Sequence, residues 1–411
     1  MNVSVRNIIK GDKVIWAVLV LLSLLSLLIV YSATGALTYR VASGRTWEYL
    51  VRHSIFLVLG FGFMTFMVNV FPVKIYAMLA RVTLVVSVGL LVLALALKFG
   101  GIIKGTGRTL PLGPISFQPA ELAKISLIVY VAKILGKKQE KTSDLLRSFK
   151  RIIVPTGIVC VLISVSDFST AVLLFVTIVS MMFIGRIPIK YIAMVFAAGI
   201  LFGAATYGAA AYIEKHPKLV EKAPARIGTV KGRIDRFIYG DPNSEKGITQ
   251  ADYAKLAIYS GGFIGKGPGH SDVSNYMAAA YNDFIFAIIV EEYGLFFGIA
   301  VIFLYLIFFF RGVTIVRRAT RTFPAFMVVG LTLILVYQAM INIGVSTGAL
   351  PVTGQPLPWV SYGGTSMLFT AMMFGCILSV SYQNQINRQA VEQPVMIKAP
   401  DEDYEIEDEA K

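Results

Sequence analysis

Ten stretches of predominantly apolar sequence follow one another along this chain, most of them long enough to cross a bilayer. They cover residues 14–33, 53–70, 77–98, 119–135, 152–165, 168–185, 190–212, 283–310, 323–347 and 361–382. A spanning helix needs about 20 such residues. In lipid every backbone N–H and C=O must find a partner within the protein, so serial runs of this kind fold as helices. Composition agrees, because 56% of the residues are hydrophobic and 15% charged. Soluble domains run at about 45–50% and 25%. The expected fold class is therefore an all-α polytopic membrane protein. It has about ten transmembrane helices and a large extracytoplasmic loop between helices 7 and 8. A water-soluble enzyme is excluded. The first run, Val14 to Val30, exceeds the apolar region of a cleavable signal and reads as a signal anchor.

Lys and Arg in short loops set the orientation. They cluster at Arg6, Lys10 and Lys13, between Lys137 and Arg151, and between Arg311 and Arg321. An even helix count puts all three groups on the cytoplasmic side. The domain organisation follows: residues 1–13 form a cytoplasmic amino terminus and 14–383 the transmembrane domain. Residues 384–411 form a cytoplasmic acidic tail expected to be disordered and to bind a partner.

Charge is distributed unevenly. The net charge is +14, yet Asp401 to Lys411 hold seven acids and one Lys, so residues 1–400 carry +20. The outer loop, about 213–282, contains ten basic residues. That loop is too long for the topological rule to explain them. In so apolar a chain the expected partners are anionic lipid or an anionic substrate, not nucleic acid. Two cysteines and three histidines provide neither a disulfide framework nor a multi-histidine metal site.

Ionisable residues at membrane depth are costly, and each is a candidate site. Glu121 and Lys124 follow Gln118-Pro119 and stand three apart on one helix face. They form either a self-compensating pair or a pair facing a polar cavity. Asp167, between helices 5 and 6, is placed to cap helix 6. Asp283 stands where the basic outer loop meets helix 8, and Glu291-Glu292 follow two turns deeper. Asp283 is either a helix cap or a base serving a substrate whose polar part is outside and whose tail is in lipid. The loop Ser260–Ser271 holds five glycines and Lys266, and its N–H groups are candidates to cradle a diphosphate. Lys222, Arg226, Lys231, Arg233 and Arg236 form a basic cluster upstream. The segment 348–366 is too rich in Pro and Gly for a plain helix and is expected to line a cavity.

In order, five segments carry a resemblance. They are Leu112–Lys124, Asp167–Ala171, Ala257–Gly262 with Gly265, Gly267 and Gly269, Asp283–Ala287 with Glu291–Gly294, and Leu350–Ser366. Together they resemble the SEDS family (shape, elongation, division and sporulation), the polytopic polymerases of bacterial peptidoglycan. The resemblance covers the chain except the tail. It implies a peptidoglycan glycosyltransferase that polymerises lipid II on the outer face of the bacterial inner membrane, beside a class B penicillin-binding protein and other division proteins. The polar carboxyl-terminal extension favours the division branch over the elongation branch. The family's essential carboxylate falls on Asp283, and its fourth-helix Glu and Lys fall on Glu121 and Lys124. Two departures limit the transfer. Ala278-Ala279-Ala280-Tyr281-Asn282 stands where the family usually has Pro-Glu-(Ala/Gly)-His-Thr, so no role for that Glu or His carries over. Arg108-Thr109-Leu110 stands for Arg-Trp-Ile, so only the Arg transfers.

On this reading Asp283 is the catalytic base. Arg108, Gln118, Glu121, Lys124, Arg233, Ser260, Lys266 and Ser361 contact the substrates, which are lipid II and an undecaprenyl-linked glycan. A divalent cation, Mg²⁺ or Mn²⁺, is expected to join Asp283 and the diphosphate. The rival readings are a flippase for the same lipid, which needs no base, and a structural scaffold, which needs neither Asp283 nor the glycine loop.

Overall fold

In the computed structural model the described residues are 9–40, 46–101, 108–112, 115–137, 142–214, 225–240, 248–277 and 281–392. Among them twelve α-helices and one short hairpin are found. The helices are α1 (Lys13–Arg40), α2 (Thr46–Val70), α3 (Val73–Phe99), α4 (Pro119–Leu135), α5 (Thr142–Ser164) and α6 (Phe168–Ile184). There follow α7 (Ile189–Glu214), α8 (Ala225–Tyr239), α9 (Gln250–Gly261), α10 (Ile285–Arg317), α11 (Thr322–Ser346) and α12 (Thr365–Glu392). Strands β1 (Leu110–Leu112) and β2 (Ile115–Phe117) pair antiparallel just ahead of α4.

Ten of these helices, α1–α7 and α10–α12, fall on the ten apolar runs. By length and hydropathy, seven of the described helices suffice to cross a membrane: α1, α2, α3, α7, α10, α11 and α12. The other three have local reasons for being shorter or more polar. Helices α4 and α6 have 17 residues each. Almost all of α4 is buried against its neighbours, so its length is matched to protein rather than lipid. Helix α5 starts ten residues before the expected 152, because Arg147, Lys150 and Arg151 form a helical polar turn rather than a loop. The protein is thus a polytopic helical membrane protein.

Helices α4 and α11 form the centre, with α3, α6 and α10 packed around them and α12 laid along α2. Helix α7 is peripheral, with only Val195 and Ala210 buried along its described length. The segment 213–282 contains α8, lying against α7, and α9, lying against α10. Helix α12 continues to Glu392, so the expected boundary at 384 falls inside a helix. The acidic stretch beyond 392, Lys222, and Ala278–Ala280 lie outside the described residues.

Candidate active site

Asp283 lies in the turn Tyr281–Phe284, just ahead of α10. It does not cap the helix. Phe284 occupies the N-cap position, and no side chain bonds the first turn. Among the described residues no hydrogen bond engages the Asp283 carboxylate. Its backbone, by contrast, is pinned. Asn342 of α11 donates through Nδ2 to the Asp283 carbonyl at 3.0 Å and to the Gln355 carbonyl at 2.8 Å. Ser361 Oγ donates to the Asn282 carbonyl at 2.8 Å and accepts from the Leu357 N–H at 2.8 Å. Segment 351–361 is therefore stitched to both sides of the turn that carries Asp283. Gly354, at φ +71°, passes the carboxylate so closely that a Cβ there would lie 3.4 Å from Oδ2.

Beside this turn a cavity of about 230 Å³ opens. Arg108, Asp167, Arg233 and Thr353 supply its polar lining. The hairpin β1–β2 ends the approach of Arg108, whose Nη2 lies 3.0 Å from Asp167 Oδ2. Asp167 also caps α6, accepting from the Thr170 N–H at 3.3 Å. The expected capping role is present, and a second role in the site accompanies it. Arg233, from α8, donates to the Thr353 carbonyl at 3.1 Å. Thr353 lines the cavity, and its buried Oγ1 has no hydrogen-bond partner among the described residues.

Electrostatics set Asp283 apart from an ordinary surface carboxylate. Burial pushes its carboxyl above the ordinary carboxylate range. Arg108 and Arg233 pull it down, and Asp167 pushes it up. Burial also lowers the Arg233 guanidinium from its ordinary value, with Arg108 acting in the same direction. Two carboxylates, Asp283 and Asp167, thus act on one another and on the two guanidinium groups of Arg108 and Arg233 that line the hollow. This arrangement suits proton abstraction next to a developing anion. It suits a resident metal less well. Among the described residues no group of three His, Cys, Asp or Glu side chains converges. Asp167 already pairs with Arg108, which leaves Asp283 alone among the acids here, so the donor set does not fit an ion held by protein alone.

The FtsW, RodA and SpoVE family of cell cycle proteins matches residues 12–386. The chain belongs to that family. A probable peptidoglycan glycosyltransferase FtsW of Nitrosococcus halophilus is 32% identical over 361 residues, covering 84% of this chain and 86% of that one. Another probable peptidoglycan glycosyltransferase FtsW, from Coxiella burnetii, is 30% identical over 379 residues, covering 90% and 96%. Two solved structures share the fold. One is a peptidoglycan synthase complex described as coordinating polymerization and crosslinking, with TM-score 0.67 at 23% identity, covering 91% of this chain and 98% of that one. The other is the rod shape determining protein RodA of Thermus thermophilus, with TM-score 0.61 at 21% identity, covering 91% and 97%. The SEDS resemblance read from five short segments thus holds over the family's whole fold.

In this FtsW/RodA/SpoVE-family chain the remaining expected residues divide into groups. Glu121 and Lys124 pair at 2.8 Å, with Lys124 only 1% exposed. Glu121 lines a second, smaller hollow of about 20 Å³ together with Ser361, Tyr362 and Gln338. Gln118 takes the N-cap position of α4 without a side-chain bond to it. Ser260 and Lys266 lie elsewhere, with Glu291. Lys266 Nζ lies 2.9 Å from Glu291 Oε1 and 2.8 Å from Asp272 Oδ2. Ser260 Oγ donates to the Ala257 carbonyl at 3.1 Å. Two of the glycine loop's N–H groups, expected as a diphosphate cradle, are committed within the protein. Those of Lys266 and Gly267 donate to the Glu291 and Glu292 carbonyls, both at 2.9 Å. The loop is a brace for a break in α10, where Gly294 has φ +85°. Its close approach requires that glycine, because a Cβ there would lie 2.2 Å from the Phe263 carbonyl oxygen.

Three site residues were not singled out from sequence: Asn342, Gln355 and Thr353. Asn342 had a readable signal, since it is an amide in the apolar run 323–347. Gln355, whose Nε2 donates to Thr170 Oγ1 at 2.8 Å, was hidden in an irregular segment.

Proposed function

We propose that this chain is a peptidoglycan glycosyltransferase of septal wall synthesis that extends a lipid-linked glycan with lipid II. One observation carries the reading: among the described residues no hydrogen bond engages the Asp283 carboxylate, burial raises its pKa, and Arg108 and Arg233, which line a cavity of about 230 Å³, act on its charge. Asp283 takes the proton of an acceptor sugar hydroxyl. The acceptor oxygen bonds to the anomeric carbon of the donor glycan as that carbon's bond to the diphosphate breaks. Undecaprenyl diphosphate leaves with the electron pair. Arg108 and Arg233 offset its growing charge, and Thr353 offers a hydroxyl to an oxygen of either substrate. A positioned base of this kind contributes about 10²–10⁴ in rate.

Glu121 and Lys124 with the small hollow beside Ser361 support binding of a sugar or peptide portion. Lys266 and Ser260 act at a distance, through the brace on α10. A divalent cation enters with the diphosphate in this scheme and is not resident. The chain sits in the bacterial inner membrane with both termini in the cytoplasm and works at the septum. A class B penicillin-binding protein crosslinks its product.

The test uses purified full chain, with its transpeptidase partner, in liposomes holding fluorescent lipid II. Glycan polymer that disappears with Asp283→Asn supports the proposal. Lipid II that crosses the bilayer while no polymer forms under any condition supports the flippase instead.

A further inference from the structure

A second cavity lies at the far end of α10 from Asp283. It has a volume of about 260 Å³ and is lined by the start of α1, the end of α10 and the last turns of α12. Lys13, Arg311, Arg318 and Arg388 surround it, with Asp12 as the one acid in the lining. Most of its polar groups are already committed. Arg311 Nε donates to both Asp12 oxygens, at 3.2 and 3.0 Å. Asn384 Nδ2 donates to the Ile315 carbonyl and Gln385 Nε2 to the Gly11 carbonyl, both at 3.0 Å. These bonds fix the walls. Lys13, Arg318 and Arg388 remain. Among the described residues none of the three has an ion-pair partner. Three cations around one rigid hollow repel each other and gain from a polyanion.

The same chain supplies one. Residues 401–409 hold seven acids and no base. They follow α12, the helix that carries Arg388, after the eight residues 393–400. Extended, eight residues span about 26 Å at roughly 3.3 Å each. The helix from Asn384 to Glu392 rises only about 12 Å at 1.5 Å per residue. The acidic run therefore reaches back to the cavity with chain to spare. A tether this short holds it at an effective concentration on the order of millimolar, enough for pairs that are weak singly.

We propose that the acidic segment Asp401–Glu409 docks on the cavity formed by Lys13, Arg318 and Arg388. An anionic lipid headgroup is the competing occupant, since basic hollows between spanning helices also hold such headgroups. The tail is favoured because it follows the helix that forms one wall of the cavity and its charge is complementary.

The test is photo-crosslinking of the full chain in nanodiscs of zwitterionic lipid, with benzoylphenylalanine in place of Tyr404. Adducts are expected on peptides containing Lys13, Arg318 or Arg388. They are expected to disappear in the double variant Arg318→Gln, Arg388→Gln, and in 1 M salt, where the Debye length falls to about 3 Å. Adducts elsewhere, or adducts that survive both treatments, overturn the proposal. Complete loss of the adducts when phosphatidylglycerol is added also overturns it, because the headgroup is then the occupant. A folded spectrum and wild-type elution of the double variant separate loss of docking from loss of fold.

Discussion

Asn342 holds the backbone of Asp283 from one side-chain nitrogen, which donates at 3.0 Å to the Asp283 carbonyl and at 2.8 Å to that of Gln355. The bond joins a largely buried helix to the turn that carries Asp283. Asn342 itself is 1% exposed. Replacing it leaves two carbonyls without their donor, at a cost of about 1–3 kcal/mol for each buried unsatisfied group. It also frees the turn. Asn342→Ala is expected to lower kcat by roughly 10²-fold, the size of effect a 1 Å misplacement produces. Lipid II binding changes little. Steady-state kinetics of polymer formation check the split between kcat and KM, and an equal loss in both would argue against a positioning role.

The charges around Asp283 predict a pH profile. A base works only when ionised, so activity rises as pH passes upward through its pKa. Burial raises that pKa, so the acid limb of kcat/KM lies above the ordinary carboxylate range. Arg108 and Arg233 lower it, so Arg233→Gln moves the limb to higher pH. Asp167 raises it, so Asp167→Asn moves the limb to lower pH. Limbs that stay fixed in both variants would show that another group limits the rate.

The same shift bears on stability. A carboxyl whose folded pKa is raised supports folding below its unfolded pKa and loses that contribution as pH rises through the folded value. At pH 7 the ionised Asp283 is therefore a burden on the fold. Asp283→Asn is expected to raise Tm at pH 7 and to lose that advantage at pH 3. Thermal unfolding of both proteins at the two pH values measures it.

The brace on α10 makes Lys266 and Glu291 interdependent. Glu291 is fully buried and pairs with Lys266 at 2.9 Å. Lys266 is about a quarter exposed and Glu291 also accepts from Ser271 and the Asp272 N–H, so removing the lysine costs about 1–3 kcal/mol rather than the full cost of breaking a buried pair. Lys266→Met is expected to destabilise the protein by that amount, and Lys266→Met with Glu291→Gln to recover part of the loss. Additive losses in the double variant would deny the coupling.

Glycine at 294 is required by two facts, its φ of +85° and the 2.2 Å separation between an added Cβ and the Phe263 carbonyl oxygen. Gly294→Ala is expected to abolish accumulation of folded protein. Gly62→Ala serves as the control. Nothing lies within 4 Å of a Cβ there, and the site is helical. Alanine at such a position gains up to about 1 kcal/mol. Fluorescence size-exclusion of both variants gives the comparison.

The fold was legible because lipid imposes one rule on every span, and that rule is written as run length. Helix α4, read as 119–135, has those bounds. The start of α5 was not legible, because Arg147, Lys150 and Arg151 lie in a polar turn that periodicity cannot separate from a loop. In the site, Asp283 stood out as an acid at the edge of lipid. The meeting of Arg108 with Asp167, 59 residues apart in sequence, depends on where the β-hairpin ahead of α4 carries Arg108, and no local pattern encodes it. Lys266 illustrates the opposite failure. A lysine among glycines suggests an anion site, yet its partner is the buried Glu291, two turns into a helix that sequence alone does not place beside the loop.

The central claim is that Asp283 accepts the proton in glycan transfer. The direct measurement is the rate of polymer formation from labelled lipid II by purified Asp283→Asn with its transpeptidase partner, beside a binding isotherm for lipid II. The account predicts a rate lowered by at least about 10²-fold with binding retained. Polymer made at the wild-type rate would contradict it.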